Sequence, residues 1–328
     1  AAGMLWTHAV LLWTGLLLVA DGAARRGVRH AWVVIAAGFL PPILGTAGEI
    51  WKDVGMAASL LCAAGILYRA SARGDGIGRG GAALALVALF YATAVRANAP
   101  AATAPVLVFW AACVWPRASW RTWCARAVAV LGLFLAAQAG IESRLLHAKR
   151  MHLAQILQTF DLAALHCAGD DVTIPPLLFQ QGADAGAVCA SCVPQRVDAW
   201  EFLPTSPLRL DTDRTALRAL AGEWRRAIAA HPRDYLAHRL RAFAGLLGFG
   251  EADVARTIWA PFSLANPYGL AFTPNALTAA IGVGVAIAAA LGLYNGLPWL
   301  VGSVGVLALA CRRRPFAPAL DAALAASA

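Results

Sequence analysis

The chain alternates long apolar runs with short charged loops as far as residue 141, turns polar, and becomes apolar again near its end. The apolar runs are 4–20, 31–47, 54–68, 81–95, 99–115, 127–141, 276–294 and 297–311. None has the two-residue alternation of a barrel strand, so the pattern predicts helices. A helix needs about 20 residues to cross a bilayer, so the shorter runs must borrow flanking residues. Pro41-Pro42 removes two amide donors inside the second run and predicts a kink there. Gly284, Ala288 and Gly292, spaced four apart, predict close helix packing in the seventh run.

The loops set an orientation. Loop 21–30 carries Arg25, Arg26 and Arg29, loop 69–80 carries Arg69, Arg73 and Arg79, and loop 116–126 carries Arg117, Arg121 and Arg126. Arginine-rich loops stay on the cytoplasmic side, so the nearly balanced loops 48–53 and 96–100 face outward. After six spans the polar stretch 142–275 is also outside. A last hairpin at Asn295-Gly296 would carry Arg312, Arg313 and Arg314 outward, against this rule.

That polar stretch holds every acidic residue except Asp21, Glu49, Asp53, Asp75 and Asp321. Leu217, Leu220, Trp224 and Ile228 form a helical stripe within 212–230, with Asp211 or Thr212 as its cap. His231-Pro232 ends that helix, and Asp234 opens another carrying Leu236, Leu240 and Phe243. Residues 173–207, rich in Pro, Gly and Gln, predict irregular chain. The expected fold is all-α: a polytopic transmembrane bundle of about eight spans with a small, mostly helical extracytoplasmic domain. Its parts are 1–145 (bundle), 146–275 (external domain) and 276–328 (hairpin and basic tail).

Composition agrees. The chain is 60% hydrophobic and only 14% charged, against about 25% charged in soluble globular domains. That excludes a soluble enzyme, a disordered tail and a secreted disulfide scaffold. The net charge of +9 comes from arginine in short loops, with Lys52 and Lys149 the only lysines, so it marks topology rather than a nucleic-acid surface. No phosphate-cradling Gly-Lys loop or nucleophile elbow is present, and Gly74-Asp75-Gly76-Ile77-Gly78 has no βαβ unit around it.

The candidate chemistry lies at membrane ends. The alternation of runs gathers Glu49, Lys52, Asp53, Arg96, Glu142 and Arg144 at the outer face. Arginine and lysine there suit a phosphate, and a carboxylate suits a base or a metal ligand. The same residue types also anchor a membrane boundary. Cys167, Cys189 and Cys192 fall in the external domain, where thiols oxidise; a disulfide of Cys167 with Cys189 or Cys192 is expected. His231 and His238, seven apart, are read as a cap and a packed histidine or as metal ligands, and Asp170-Asp171 as solvated loop or metal ligands.

Several short motifs carry a resemblance. Trp51-Lys52-Asp53 heads a span, and Val95-Arg96-Ala97-Asn98-Ala99-Pro100 follows two spans on. Phe160-Asp161-Leu162-Ala163 follows the sixth span, and Trp224, His231-Pro232, Tyr235-Leu236 and His238-Arg239 come later. Together these resemble bacterial polytopic proteins treated as GT-C-like glycosyltransferases, over about 48–248. The resemblance implies sugar transfer from a polyprenyl-phosphate carrier to a cell-envelope glycan or lipid on the outer face of the bacterial inner membrane. It implies Asp53 or Glu49 as the catalytic acid or base, in place of the acidic motif that the superfamily carries after its first span, or with that motif lying ahead of Ala1. Lys52, Arg96, Glu142, Arg144, His238 and Arg239 would bind substrate. The partners are then a lipid-linked sugar donor and membrane lipids, with no nucleic acid, and a divalent metal ion is an open cofactor. The alternatives are a carrier or flippase for lipid-linked glycans and a non-catalytic membrane scaffold.

Overall fold

A computed structural model describes residues 2–48, 50–72, 76–148, 152–175, 179–180, 183–191, 207, 213–249 and 275–313, the stretch 306–313 by backbone alone. Glu49, Cys192, Asp211 and Thr212 lie outside the described residues. The described chain is helical, without a β-strand, and divides into two compact units.

The first unit contains α1 (Ala2–Arg25), α2 (Val33–Ala37), α3 (Pro41–Ala47), α4 (Lys52–Ser71), α5 (Arg79–Val95), α6 (Ala99–Val114) and α7 (Trp120–Gly140). A π-helical turn, Ile141–Leu145, extends α7. Among the described residues, three helices are long and apolar enough to cross a membrane: α1, α4, and α7 with its extension. The helices α5 and α6 are apolar but shorter. Outward-turned side chains include Trp6, Val10, Leu84, Val87, Val128 and Leu133, each more than half exposed. Exposing one such side chain to water costs about 1.5–3 kcal/mol, so these faces suit an apolar surrounding better than water.

The core of this unit is formed by α4, α5, α6 and α7. Ala63, Leu67, Ala85, Leu89, Ala92, Leu107, Phe109 and Ala111 are all essentially inaccessible there. Between α5 and α6, the Thr93 hydroxyl donates to Thr103 Oγ1 at 3.1 Å while Trp110 Nε1 donates to the Ala82 carbonyl at 3.1 Å. These buried polar groups are thus paired, as apolar surroundings demand.

Helices α1 and α4 run parallel. His8 lies beside Gly55, Gly15 beside Leu61 and Cys62, and Gly22 beside Tyr68 and Arg69, so both chains advance in the same direction. Small residues make the approach close: a Cβ on Gly15 would fall 2.9 Å from the Cys62 amide nitrogen, and one on Gly65 would fall 2.8 Å from the Gly15 carbonyl oxygen. A parallel pair requires the chain between them to travel back along the bundle. The second apolar run does so as two short helices rather than one kinked one. Leu40, extended at φ −59° and ψ 134° ahead of Pro41, separates α2 from α3. Phe39 at this break rests on Trp13 of α1, ring centres 4.8 Å apart.

The arginine-rich loops meet at one end. Arg25 and Arg69 both pair with Asp21, and Arg26 donates to Ser71 Oγ at 2.6 Å with its guanidinium over the Tyr68 ring. The Ile77 amide donates to the Cys113 carbonyl at 3.2 Å, and Arg126 covers the Trp115 ring at 3.9 Å.

The second unit has α8 (Ala154–Cys167), α9 (Ala185–Ser191), α10 (Arg214–Ala230) and α11 (Pro232–Leu246). Its core joins Phe160, Leu162, Ala163 and Leu165 of α8 to Val172, Ile174, Val188, Leu220 and Ala227. The stretch expected to be irregular thus contains a short helix, α9. The cap of α10 is Asp213, whose Oδ2 accepts from the Thr215 and Ala216 amides, rather than Asp211 or Thr212. The α11 stripe differs from expectation more sharply. Leu236, Leu240 and Phe243 face outward, each more than half exposed, while His238 is turned inside.

Helices α12 (Ala276–Ala290) and α13 (Gly296–Arg313) close the described chain. An Asn275–Thr278 capping box starts α12. Gly292, at φ +68°, lies beyond the end of α12, so the small-residue spacing 284–292 is not one helical face. A Cβ on Gly284 would meet nothing within 4 Å.

Candidate functional site

At the bundle end away from the arginine-rich loops, Lys52 and Asp53 form the first turn of α4 and Arg96 follows the last residue of α5. Arg96 Nε donates to Asp53 Oδ1 at 2.7 Å, with the two side chains 41% and 47% exposed. Each is therefore fixed by the other yet reachable from outside. Glu142 lies in the π-helical turn and accepts from Gln138 Nε2 at 2.9 Å. The same Gln138 nitrogen reaches the Ala94 carbonyl at 3.4 Å, which ties this turn to the end of α5. Arg144 is exposed in the π-helical turn, and Lys52 is exposed.

An apolar groove of about 740 Å³ lies along α1, α4 and α5. Thr7, Leu11 and Leu18 line one side, Ile66 and Arg69 the floor, and Val87 and Tyr91 the other side. It thus runs between the two ends of the bundle, with Arg69 at the arginine-rich end. Behind it His8 is 1% exposed, its Nε2 lying 3.2 Å from the Tyr91 hydroxyl and its Nδ1 without a partner. The sequence reading passed over this pair. Its signal was a histidine inside an apolar span, which is rare and expensive in lipid.

The second unit holds His238 and Arg239, and both turn toward Asp161. That carboxylate is wholly buried. Its Oδ2 accepts from Trp224 Nε1 and from Arg239 Nη2, each at 2.8 Å. His238 Nε2 lies 3.2 Å from Oδ1 but off the line of a hydrogen bond, and its ring rests on Phe160 at 4.8 Å. Trp224, His238 and Arg239, three of the residues that carry the resemblance in this half of the chain, therefore converge on one buried charge. A buried carboxylate needs such partners, because desolvating it alone costs several kcal/mol. Arg239 is 27% exposed and His238 1%, so His238 is sealed against Asp161 while Arg239 keeps part of its side chain open.

A second cluster lies where α8 ends. Cys167 is bonded to Cys189, which ties the end of α8 to α9. Gly169, at φ +96°, turns the chain, and the Asp170 amide donates back to the Leu165 carbonyl. His231 forms the corner between α10 and α11, with Pro232 as the first residue of α11 and Asp234 in its first turn. Asp170, His231 and Asp234 bring one ligand atom each within 4.8 Å of one another. Sequence reading treated the three separately, because they come from two turns that only the packing of α8 against α10 and α11 brings together.

No protein family, curated protein or solved structure matches this chain.

Proposed function

We propose that this is a multi-pass bacterial inner-membrane glycosyltransferase of GT-C-like type, transferring a sugar from a polyprenyl-phosphate carrier to an envelope glycan or lipid. The observation that carries the reading is the exposed Asp53–Arg96 pair at the bundle end remote from the arginine-rich loops. A donor phosphate competes with Asp53 for the Arg96 guanidinium, with Lys52 beside it, and so frees the carboxylate. Asp53 then takes the proton of an acceptor hydroxyl. The hydroxyl oxygen bonds to the anomeric carbon as the carbon–oxygen bond to the phosphate breaks, and polyprenyl phosphate leaves. The apolar groove along α1, α4 and α5 suits the lipid chain of such a donor.

The test is transfer of labelled sugar from a polyprenyl-phosphate donor in membranes with matched expression. Asp53→Asn abolishes transfer, because an amide cannot accept the proton. Arg96→Ala chiefly weakens donor binding. A pair this exposed contributes only about 0–1 kcal/mol to stability, so both variants stay folded. Full activity in both rejects the site.

A carrier for lipid-linked glycans is the second reading, favoured by the discontinuous segment α2–α3 and the buried His8. It predicts movement of intact donor across vesicles without release of polyprenyl phosphate.

A further inference from the structure

We propose that Asp170, His231 and Asp234 bind a divalent transition-metal ion, of which Zn2+ fits best. This does not depend on the glycosyltransferase reading, because all three residues belong to the second unit, whereas Asp53 and Arg96 belong to the first.

The distances suit a cation. His231 Nδ1 and Asp170 Oδ1 are 3.5 Å apart. Two ligands on a tetrahedral ion, with bonds of about 2.1 Å, sit roughly 3.4 Å apart. The three ligand atoms all fall within 4.8 Å of one another, so small side-chain rotations close the set. The second oxygen of Asp170 is buried and has no hydrogen-bond partner. Buried acceptors in folded proteins are satisfied as a rule, and a cation bound by this carboxylate supplies what is missing. His231 side-chain exposure is 25% and that of Asp170 19%, so the ligands are sheltered while Asp234 stays open to solvent.

The supports are stiff. The disulfide Cys167–Cys189 and the turn at Gly169 hold Asp170, and Pro232 fixes the corner that carries His231 and Asp234. Such positioning is what separates a metal site from a chance cluster. The chemistry selects the ion. One imidazole with two carboxylates is a mixed nitrogen and oxygen set, better matched to Zn2+ or Mn2+ than to Mg2+, which prefers oxygen alone. Three protein ligands leave a coordination position open. Asp170 also borders a cavity of about 380 Å³ lined by His166, Asp171, Thr173 and Asp184. His166 Nδ1–H donates to the Val172 carbonyl at 2.7 Å, which fixes that ring.

The experiment uses the full chain in detergent, stripped of metal by a chelator and titrated with Zn2+ alone. Bound metal is counted by elemental analysis, and ligation is read by X-ray absorption. The expected result is one Zn2+ per chain in a shell of nitrogen and oxygen with one imidazole and no sulfur. Even second-shell losses weaken metal sites by about 10–100-fold, so Asp234→Asn and His231→Gln each raise Kd at least about 100-fold. His30→Gln, an exposed histidine elsewhere, leaves it unchanged. Asp234 is exposed, so its amide variant folds and keeps the test sound if His231→Gln does not. Failure of the wild-type chain to bind Zn2+, unchanged Kd in Asp234→Asn, or a sulfur-containing shell overturns the proposal.

Discussion

Inside the helix bundle, His8 Nε2 sits 3.2 Å from the Tyr91 hydroxyl, and Gly55 is what lets it fit. A Cβ at position 55 would fall 2.6 Å from that nitrogen. Gly55→Ala therefore overpacks the α1–α4 contact and costs about 1–3 kcal/mol. Thermal unfolding in detergent measures it. His8→Ala in the same chain removes the clashing ring, so the double variant is more stable than Gly55→Ala alone. Equal midpoints for Gly55→Ala and the wild-type chain would contradict this packing.

Asp161 gives a graded prediction. Asp161→Asn leaves Arg239 beside an uncharged amide, and breaking a buried ion pair costs about 3–5 kcal/mol. Trp224→Phe deletes one of the two hydrogen bonds to the same oxygen and costs about 1–3 kcal/mol. Urea unfolding followed by tryptophan-independent circular dichroism should rank them in that order. The reverse order would place the anchor on the indole instead.

The bond between Cys167 and Cys189 closes a loop with a sequence separation of 22. Replacing both cysteines by serine should cost about 3 kcal/mol. Peptide mapping without reductant should recover the 167–189 pair from native membranes. Recovery of both as free thiols would remove the bridge.

Orientation can be read at the two ends of α5. A Cβ on Gly78 meets nothing, and Asn98 lies just past Arg96. In a Cys192→Ser background, with an impermeant thiol reagent on intact cells, Asn98→Cys should label and Gly78→Cys should not. Labelling of both, or of Gly78→Cys alone, would invert or cancel the placement of Asp53 and Arg96 on the outer side.

Helix content was legible because apolar runs and capping signals are local. The α10 stripe buries Leu220, as a 3.6-residue period requires. The same logic misled on α11, where the apolar stripe is outside and His238 inside. Periodicity finds a face but not its direction, and the buried charge of Asp161 decided it. Asp53 and Arg96 end neighbouring runs, so alternation alone puts them near each other. Asp170, His231 and Asp234 leave no such trace, because a left-handed glycine and a proline corner bring them together. The parallel course of α1 and α4 followed from the alternation of loops, since a single returning run separates them. Their close contact did not, because it rests on Gly15 and Gly65 meeting across the pair.

That parallel course has a consequence for synthesis. Antiparallel neighbours can pair as soon as the second leaves the ribosome, but α1 must wait through the return segment for α4, and longer for α5. At about 5–20 residues per second the wait is on the order of a few seconds. During it, Gly15 faces lipid and His8 has neither the shelter of α4 nor the hydroxyl of Tyr91. A polar substitution near His8 would therefore act on α1 before α4 and α5 have packed against it.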